Sequence, residues 1–301
     1  MTGRGNLPER VTVYEVGPRD GLQNESGVVP LEAKVRFIDL LTEAGLPWIE
    51  VTSFVRPGAV PQLADAENVA RAIERRPGIR YVALVPNIRG MERASGARLD
   101  GIALFTAASE TFSRKNTNAS IDETLERFQP VVTRARDQDL WIRGYVSTAF
   151  GCPYEGDVSV NAVSRVVRQL VDLGVDEVSV GDTIGIATPA DVVQVVSAVV
   201  DVVPLEKLAL HFHDTRGTAL ANVYAGLQLG VTTFDSSAGG LGGCPYAPGA
   251  TGNLATEDLL YLLNGLEIQT GVSLDRVVEA SRYLAGILGR RPPSRYYRAV
   301  A

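Results

Sequence analysis

The strongest constraint on the fold is an alternation of short strand-like runs with longer helical segments. Eight runs rich in Val, Ile, Thr and aromatic residues are typical of strands, and between them apolar residues recur every three or four positions, as in amphipathic helices. The predicted strands are 11–15, 48–52, 81–85, 101–105, 141–146, 177–180, 208–212 and 232–236, and the predicted helices are 31–44, 65–75, 121–137, 160–173, 189–203 and 218–229. This alternation predicts a parallel sheet, because parallel strands need long crossover connections.

The number of strands and the place of the glycines favour one parallel architecture. A doubly wound sheet that binds a dinucleotide carries its glycine-rich loop after the first strand. Here the glycine-rich stretch 239–243 follows the last predicted strand, and Pro245 prevents an immediate helix. Eight strand–helix units favour an α/β fold of the (β/α)8 TIM-barrel type, with 274–288 as an extra C-terminal helix. No linker or change in composition divides the 301 residues, so we predict one catalytic domain, 1–301.

Charge and composition exclude several classes of protein. The chain has 29 Lys and Arg against 35 Asp and Glu, a net charge of −6. This argues against nucleic-acid partners, which require a basic face. No run approaches the roughly 18 apolar residues of a membrane span, and residues 1–10 lack the apolar core of a signal peptide. We therefore expect no membrane partner and a cytoplasmic location. Two Cys exclude a disulfide-stapled fold and a thiolate metal site.

The only two histidines suggest a metal site. His211 and His213 are two residues apart at the end of the seventh predicted strand, so they point to one face. Strand 8 of a barrel lies between strands 7 and 1, so Asp20 after strand 1 and Asn253 after strand 8 can converge with them. Two nitrogen and two oxygen ligands suit an open octahedral site for Mg²⁺ or Mn²⁺. Taken singly, these residues could instead be packed histidines, a helix cap and a turn residue.

Other polar residues at predicted strand ends are candidates for catalysis. Arg19 could contact a substrate carboxylate or carbonyl oxygen, or it could form only a salt bridge. Glu50 and Asp182 are predicted to pair with Arg19 or the metal ligands, because unpaired buried charges are costly. Cys244 lies in a glycine-dense loop after strand 8, where a thiol could transfer protons. The alternative for Cys244 is inert packing.

Three motifs in one chain resemble a known family. They are residues 19–25 (RDGLQNE), 211–214 (HFHD) and 240–247 (GLGGCPYA). With them the chain closely resembles the hydroxymethylglutaryl-CoA lyases, members of a wider group of divalent-metal TIM barrels that make or break carbon–carbon bonds. The resemblance extends from about Val11 to about Leu288. The Arg-Asp-Gly part of the first motif and the His-x-His part of the second occur across the wider group, and the cysteine loop is the specific one.

The resemblance implies an activity and assigns roles to individual residues. It implies a homo-oligomer such as a dimer, leucine degradation as the pathway, and cleavage of 3-hydroxy-3-methylglutaryl-CoA to acetyl-CoA and acetoacetate. It implies that either Asp20 or His211 takes the proton of the substrate hydroxyl. The implied metal ligands are Asp20, His211, His213 and Asn253, the implied substrate contacts are Arg19 and Gln23, the implied proton donor is Cys244, and the implied supporting residues are Glu50, Asp182 and Glu257.

Several alternatives stay open. A condensing transferase of the isopropylmalate- or homocitrate-synthase type shares the metal motifs, but usually has a C-terminal extension and lacks the cysteine loop. A lyase for a longer 3-hydroxy-3-alkylglutaryl-CoA is compatible with Ala238 and Gly239, which are smaller than the usual family residues and predict a roomier pocket or a more flexible loop. Ser26 replaces a frequent family lysine, which puts acyl-CoA contacts there in doubt. A metal-dependent binding module would require Arg19 and Cys244 to be dispensable.

Overall fold

The chain forms a closed barrel of eight parallel strands in sequence order. A computed structural model describes residues 7–243 and 252–301. Strand β1 pairs with both β2 and β8, which closes the sheet. The TIM-barrel prediction is therefore confirmed. The strands are β1 Thr12–Glu15, β2 Trp48–Ser53, β3 Arg80–Leu84, β4 Gly101–Ala107, β5 Trp141–Ser147, β6 Glu177–Asp182, β7 Leu208–Phe212 and β8 Thr233–Ser236.

Helices surround the barrel, and more of them form than the sequence predicted. The helices are α1 Leu31–Glu43, α2 Ala66–Ala72, α3 Ile88–Ala94, α4 Glu110–Thr117, α5 Ile121–Arg136, α6 Val160–Leu173, α7 Pro189–Val199, α8 Ala219–Gln228, α9 Thr256–Gly265, α10 Leu274–Leu288 and α11 Arg295–Val300. The predicted extra helix is α10, which packs against α1. Helices α3, α4, α9 and α11 were not predicted; α3, α4 and α11 have at most eight residues, too few for a clear apolar period. None of the described helices is long and apolar enough to cross a membrane.

The strands have two different faces. Residues such as Val13, Ile102 and Val178 point outward and form one hydrophobic core with the surrounding helices. The interior is filled from its amino-terminal end, where the rings of Trp48 and Trp141 lie 4.2 Å apart between centroids. Since this end is closed by aromatic side chains, the open end of the barrel is the one at which the strands terminate. That is where TIM barrels carry their active sites.

Candidate active site

Two imidazoles and a carboxylate meet at the carboxyl end of the barrel. Asp20, His211 and His213 each offer one ligand atom, and these atoms lie within 4.8 Å of one another. Both histidines point inward because Leu210 and Phe212, which alternate with them, are buried in the outer core. The centroids of the two imidazole rings are 5.3 Å apart. The predicted convergence of these three residues is therefore confirmed, while metal ligation by them stays a prediction.

Asp20 reaches this cluster through a tight turn that follows β1. Residues Gly17–Gly21 form a single π-helical turn, in which the amides of Arg19, Asp20 and Gly21 all donate to the carbonyl of Val16. The turn packs against the chain after β8. A Cβ on Gly21 would lie 2.9 Å from Oγ of Ser237 and 3.1 Å from Cβ of Leu241. Glycine at position 21 therefore allows the close approach that brings Asp20 to the histidines.

Asn253 joins the cluster because the chain after β8 runs back along the end of β7. The amide of Leu254 donates to the carbonyl of Phe212 at 2.9 Å, and residues His213 and Asn253 form an antiparallel bridge. Nδ2 of Asn253 donates to Oδ2 of Asp20 and to the carbonyl of Leu241, each at 2.9 Å. Oδ1 is buried and accepts no hydrogen bond from residues 7–243 or 252–301. An unsatisfied buried oxygen calls for an explanation, and a divalent cation would satisfy it.

Arg19 is fixed between two carboxylates beside the cluster. Nε lies 2.5 Å from Oε1 of Glu50, and Nη1 lies 2.6 Å from Oδ1 of Asp20. Burial alone would lower the pKa of Arg19, but the charges of Glu50 and Asp20 outweigh it and raise the pKa. Burial would likewise raise the pKa of Asp20, but Arg19 and the two histidines outweigh it and lower the pKa. Arg19 is therefore cationic and Asp20 anionic at neutral pH. The predicted contact between Glu50 and Arg19 is present.

A polar network that was not predicted from the sequence lies below the histidines. Oδ2 of Asp235 lies 3.1 Å from Nδ1 of His211 and accepts a hydrogen bond from Ser179 at 2.9 Å. Its other oxygen accepts from Nη2 of Arg143 at 2.6 Å. Tyr145 donates to Oε2 of Glu50 at 2.5 Å. These residues belong to no recognisable motif. The alternation of side chains along a strand places His211 inward, and it also places Asp235, Arg143 and Tyr145 inward. This alternation is the one sequence pattern from which the network could have been predicted.

Asp182 and Glu257 hold loops in place. The carboxylate of Asp182 accepts hydrogen bonds from the amides of Ile186 and Ala187 at 3.0 and 2.9 Å. Burial raises its pKa. Glu257 accepts from the amide of Gly239. The charge of His211 acts on the carboxylate of Asp182 and lowers its pKa against the effect of burial. Asp182 therefore interacts electrostatically with a candidate metal ligand, while its hydrogen bonds support the loop that follows β6.

The remaining predicted residues are placed as follows. Gln23 is half-buried just beyond the turn that carries Asp20. Cys244 lies outside the described residues. Gly239 has φ +74°, and a Cβ on it would lie 3.1 Å from Cβ of Pro292. Ala238 is buried and donates its amide to Oε1 of Glu15 at 2.9 Å. Position 239 thus packs against the C-terminal segment, which is the reason a small residue fits there.

The fold and the cluster define a class of protein: a TIM barrel with a candidate divalent-metal centre at the open end. Two imidazoles, one carboxylate and one amide oxygen are a donor set that a divalent cation accepts. The HMGL-like family model matches residues 10–284, and the chain belongs to this family.

Curated relatives and solved structures agree with this assignment. The chain is 52% identical over 296 residues to the mitochondrial hydroxymethylglutaryl-CoA lyase of Rattus norvegicus, covering 98% of this chain and 91% of that protein. It is 51% identical over 295 residues to the 3-hydroxy-3-isohexenylglutaryl-CoA/hydroxy-methylglutaryl-CoA lyase of Pseudomonas aeruginosa, covering 98% of both. A solved HMG-CoA lyase from Acinetobacter baumannii, in complex with coenzyme A and 3-methylmalate, superposes with TM-score 0.93 at 39% identity and covers 100% of this chain and 97% of that one.

Proposed function

We propose that this chain is a carbon–carbon lyase that cleaves 3-hydroxy-3-methylglutaryl-CoA to acetyl-CoA and acetoacetate. One observation carries the proposal: Asp20, His211, His213 and Asn253 meet beside Arg19 in a chain about half identical to such lyases over nearly its whole length. The coenzyme A in the Acinetobacter structure supports an acyl-CoA substrate.

The proposed cofactor is a divalent cation, Mg²⁺ or Mn²⁺. It would be held by the carboxylate of Asp20, the imidazoles of His211 and His213, and Oδ1 of Asn253. A bound cation of this kind polarises oxygen ligands, lowers the pKa of a coordinated hydroxyl and orients the substrate. The lowered pKa of Asp20, set by Arg19 and the histidines against the effect of burial, keeps this carboxylate ionised and ready to bind a cation.

Arg19 is proposed to bind the thioester oxygen of the substrate. Its Nε and Nη1 are taken by Glu50 and Asp20, which fix the plane of the guanidinium. Its third nitrogen, Nη2, has no acceptor among the described residues. A fixed cation aimed at an oxygen that becomes negative in the transition state contributes more than a mobile one, because it need not reorganise during the reaction. Arg19 would stabilise the enolate of acetyl-CoA in this way.

Cleavage requires the removal of one proton and the delivery of another. As the carbon–carbon bond breaks, its electron pair forms the enolate of acetyl-CoA, and the deprotonated hydroxyl becomes the ketone of acetoacetate. Asp20 or His211 would accept the hydroxyl proton, and the thiol of Cys244 would protonate the enolate carbon. Nothing is oxidised or reduced, so no further co-reactant is needed.

A longer 3-alkyl chain on the substrate is the second candidate. It is supported by the relative in Pseudomonas aeruginosa, whose name includes both an isohexenyl and a methyl substrate, and which is 51% identical to this chain. Both candidates share the same chemistry at the reacting carbons. They differ only in the alkyl group that the barrel must accommodate.

The test of the proposed function is a direct assay. The purified chain is incubated with hydroxymethylglutaryl-CoA under reducing conditions, with Mg²⁺ or Mn²⁺, and acetoacetate release is followed. A parallel reaction with the isohexenyl substrate compares kcat/KM for the two acyl chains. Release from neither substrate with either metal would contradict the proposal, and release from the isohexenyl substrate alone would favour the second candidate.

The oligomeric state, the pathway and the location of the protein are part of the same proposal. From the resemblance to the lyase family we propose that residues 1–301 act as one catalytic domain in a homodimer, and that the enzyme works in leucine degradation in the cytoplasm. Light scattering after size-exclusion chromatography tests the dimer. A mass of one 32.2 kDa chain at all concentrations would contradict it.

A further inference from the structure

We propose that Arg143, buried in the centre of the barrel, is a positioning residue that holds both sides of the active site. The side chain points inward from β5 and is completely buried. Its guanidinium carbon lies 3.8 Å from the ring centroid of Tyr14 and 5.0 Å from that of Tyr145. The inference goes beyond the lyase chemistry, and its kinetic part rests on the proposed function.

One branch of contacts leads from Arg143 to the candidate metal ligands. Nη2 of Arg143 donates to Oδ1 of Asp235 at 2.6 Å, and Oδ2 of Asp235 faces Nδ1 of His211 at 3.1 Å. A carboxylate beside Nδ1 fixes the orientation of the imidazole ring, so Nε2 is the nitrogen that is free to face the other candidate ligands. We define Arg143, Asp235 and His211 as the metal branch.

A second branch leads from Arg143 to the proposed substrate contact. Nη1 of Arg143 donates to the hydroxyl oxygen of Tyr145 at 3.2 Å. That hydroxyl donates to Oε2 of Glu50 at 2.5 Å, and Oε1 of Glu50 binds Nε of Arg19 at 2.5 Å. The ring of Tyr145 also lies below Arg19, with 5.5 Å between its centroid and the guanidinium carbon. We define Tyr145, Glu50 and Arg19 as the substrate branch.

Stability alone is a weak reason for a charged group at this position. Removing an arginine from water is costly, and well-packed apolar side chains often replace buried ion pairs without loss. The neighbouring barrel positions already carry apolar residues such as Val82 and Ala103. Since each of two guanidinium nitrogens leads to a different side of the site, only a planar forked group can serve both branches.

The test separates the two branches with conservative variants. Mn²⁺ affinity is measured by electron paramagnetic resonance without substrate, so this measurement stands even if the proposed lyase activity fails. Asp235→Asn should weaken Mn²⁺ binding about 10–100-fold, as loss of a carboxylate behind a metal-bound histidine typically does. Tyr145→Phe should leave Mn²⁺ affinity within about 3-fold and lower kcat more than it raises KM, because Arg19 loses its orientation. Arg143→Gln should show both defects.

Arg143→Lys provides the rescue. A single ammonium can still contact Asp235 but cannot reach both Asp235 and Tyr145, as the two nitrogens of a guanidinium do. We therefore expect near-normal Mn²⁺ affinity and a kcat like that of Tyr145→Phe. Arg75→Gln is the matched control, because Arg75 binds the carbonyls of Ala70 and Ala97 outside the barrel and has only a structural role. Unchanged Mn²⁺ affinity in Asp235→Asn, or equal loss of it in Tyr145→Phe and Asp235→Asn, would overturn the proposal. These two variants remain informative if Arg143→Gln does not fold.

Discussion

Glu257 provides a quantitative test of how burial controls a carboxyl group in this barrel. Its side chain is completely buried on α9, where it accepts hydrogen bonds from the amide of Gly239 and the hydroxyl of Ser281. Burial is the main cause that raises its pKa from 4.5 to about 7, against the effect of these hydrogen bonds, and the nearby charge of Glu15 adds to the rise. The group therefore titrates in an accessible pH range.

The sign and size of the effect follow from linkage. Because the pKa is higher in the folded chain, the folded state holds the proton more tightly than the unfolded state does. The resulting stabilisation is fully present below pH 4.5 and is lost as the pH rises through about 7. At 1.36 kcal/mol for each pKa unit, the change in the free energy of unfolding is about 3 kcal/mol.

Glu257→Gln isolates this contribution, because glutamine has the size of the protonated acid and does not titrate. The melting temperatures of wild type and variant are compared from pH 5 to 8, with a chelator present to remove metal binding. We expect the variant to gain about 2.5 kcal/mol relative to wild type between pH 5 and 8, which corresponds to roughly 4 °C in melting temperature at an unfolding entropy of about 2.1 cal/mol/K per residue. The matched control is Glu126→Gln, which makes the same change at an exposed position of α5.

Parallel curves of melting temperature against pH for wild type and Glu257→Gln would refute the reasoning. They would mean that Glu257 has the same pKa in the folded and unfolded chain, and that its burial is compensated in full by its hydrogen bonds. Glu15, whose pKa burial also raises to about 7, titrates in both proteins. Because its charge also raises the pKa of Glu257, the difference between the two curves includes the coupling of the two carboxyl groups.

Three further predictions concern single side chains. Cys244→Ala should lower turnover about 10²–10⁴-fold if the thiol is a general acid, whereas the control Cys152→Ala should keep the activity per folded molecule. Equal rates of acetoacetate release by the two variants would remove Cys244 from the mechanism. Asn253→Ala should weaken Mn²⁺ binding at least 10-fold in a calorimetric titration, with the exposed Asn68→Ala as the control. An unchanged affinity would refute ligation by Oδ1. Arg295→Ala breaks a 2.5 Å ion pair with Asp214 in which the arginine side chain is 60% exposed. Urea unfolding should therefore show a decrease of less than about 1 kcal/mol in the free energy of unfolding, and a decrease above about 2 kcal/mol would show that solvent does not screen the pair.

The fold was largely predictable because the apolar pattern along the chain marks the same strands and helices that a closed parallel barrel requires. Strand β7 and helices α6 and α10 have the predicted bounds, since each is long or strongly apolar and ends at a clear boundary. Helix α4 was missed because its sequence is mainly polar and its formation depends on the cap provided by Ser109. Helix α7 was predicted too long, since its pattern of valines continues into a turn after Val199.

The candidate site was predictable only where side chains belong to motifs. The proximity of Asp20 and His211 could be predicted once eight strands implied a closed barrel. Arg143 and Asp235 could not, because each lies alone in a strand whose other residues fit an ordinary core. Their importance depends on which residues face them across the barrel, and that follows from the register between strands, which a single sequence does not specify.

The contact between Asp20 and Asn253 has a consequence for how the protein is made. The two residues are separated by 233 positions, and they meet only because β8 pairs with β1. During translation Asp20 leaves the ribosome long before Asn253 is synthesised, so a chain that stops before β8 lacks the fourth candidate ligand and the strand that closes the barrel. The complete set of candidate ligands can therefore assemble only after β8 and Asn253 have been synthesised.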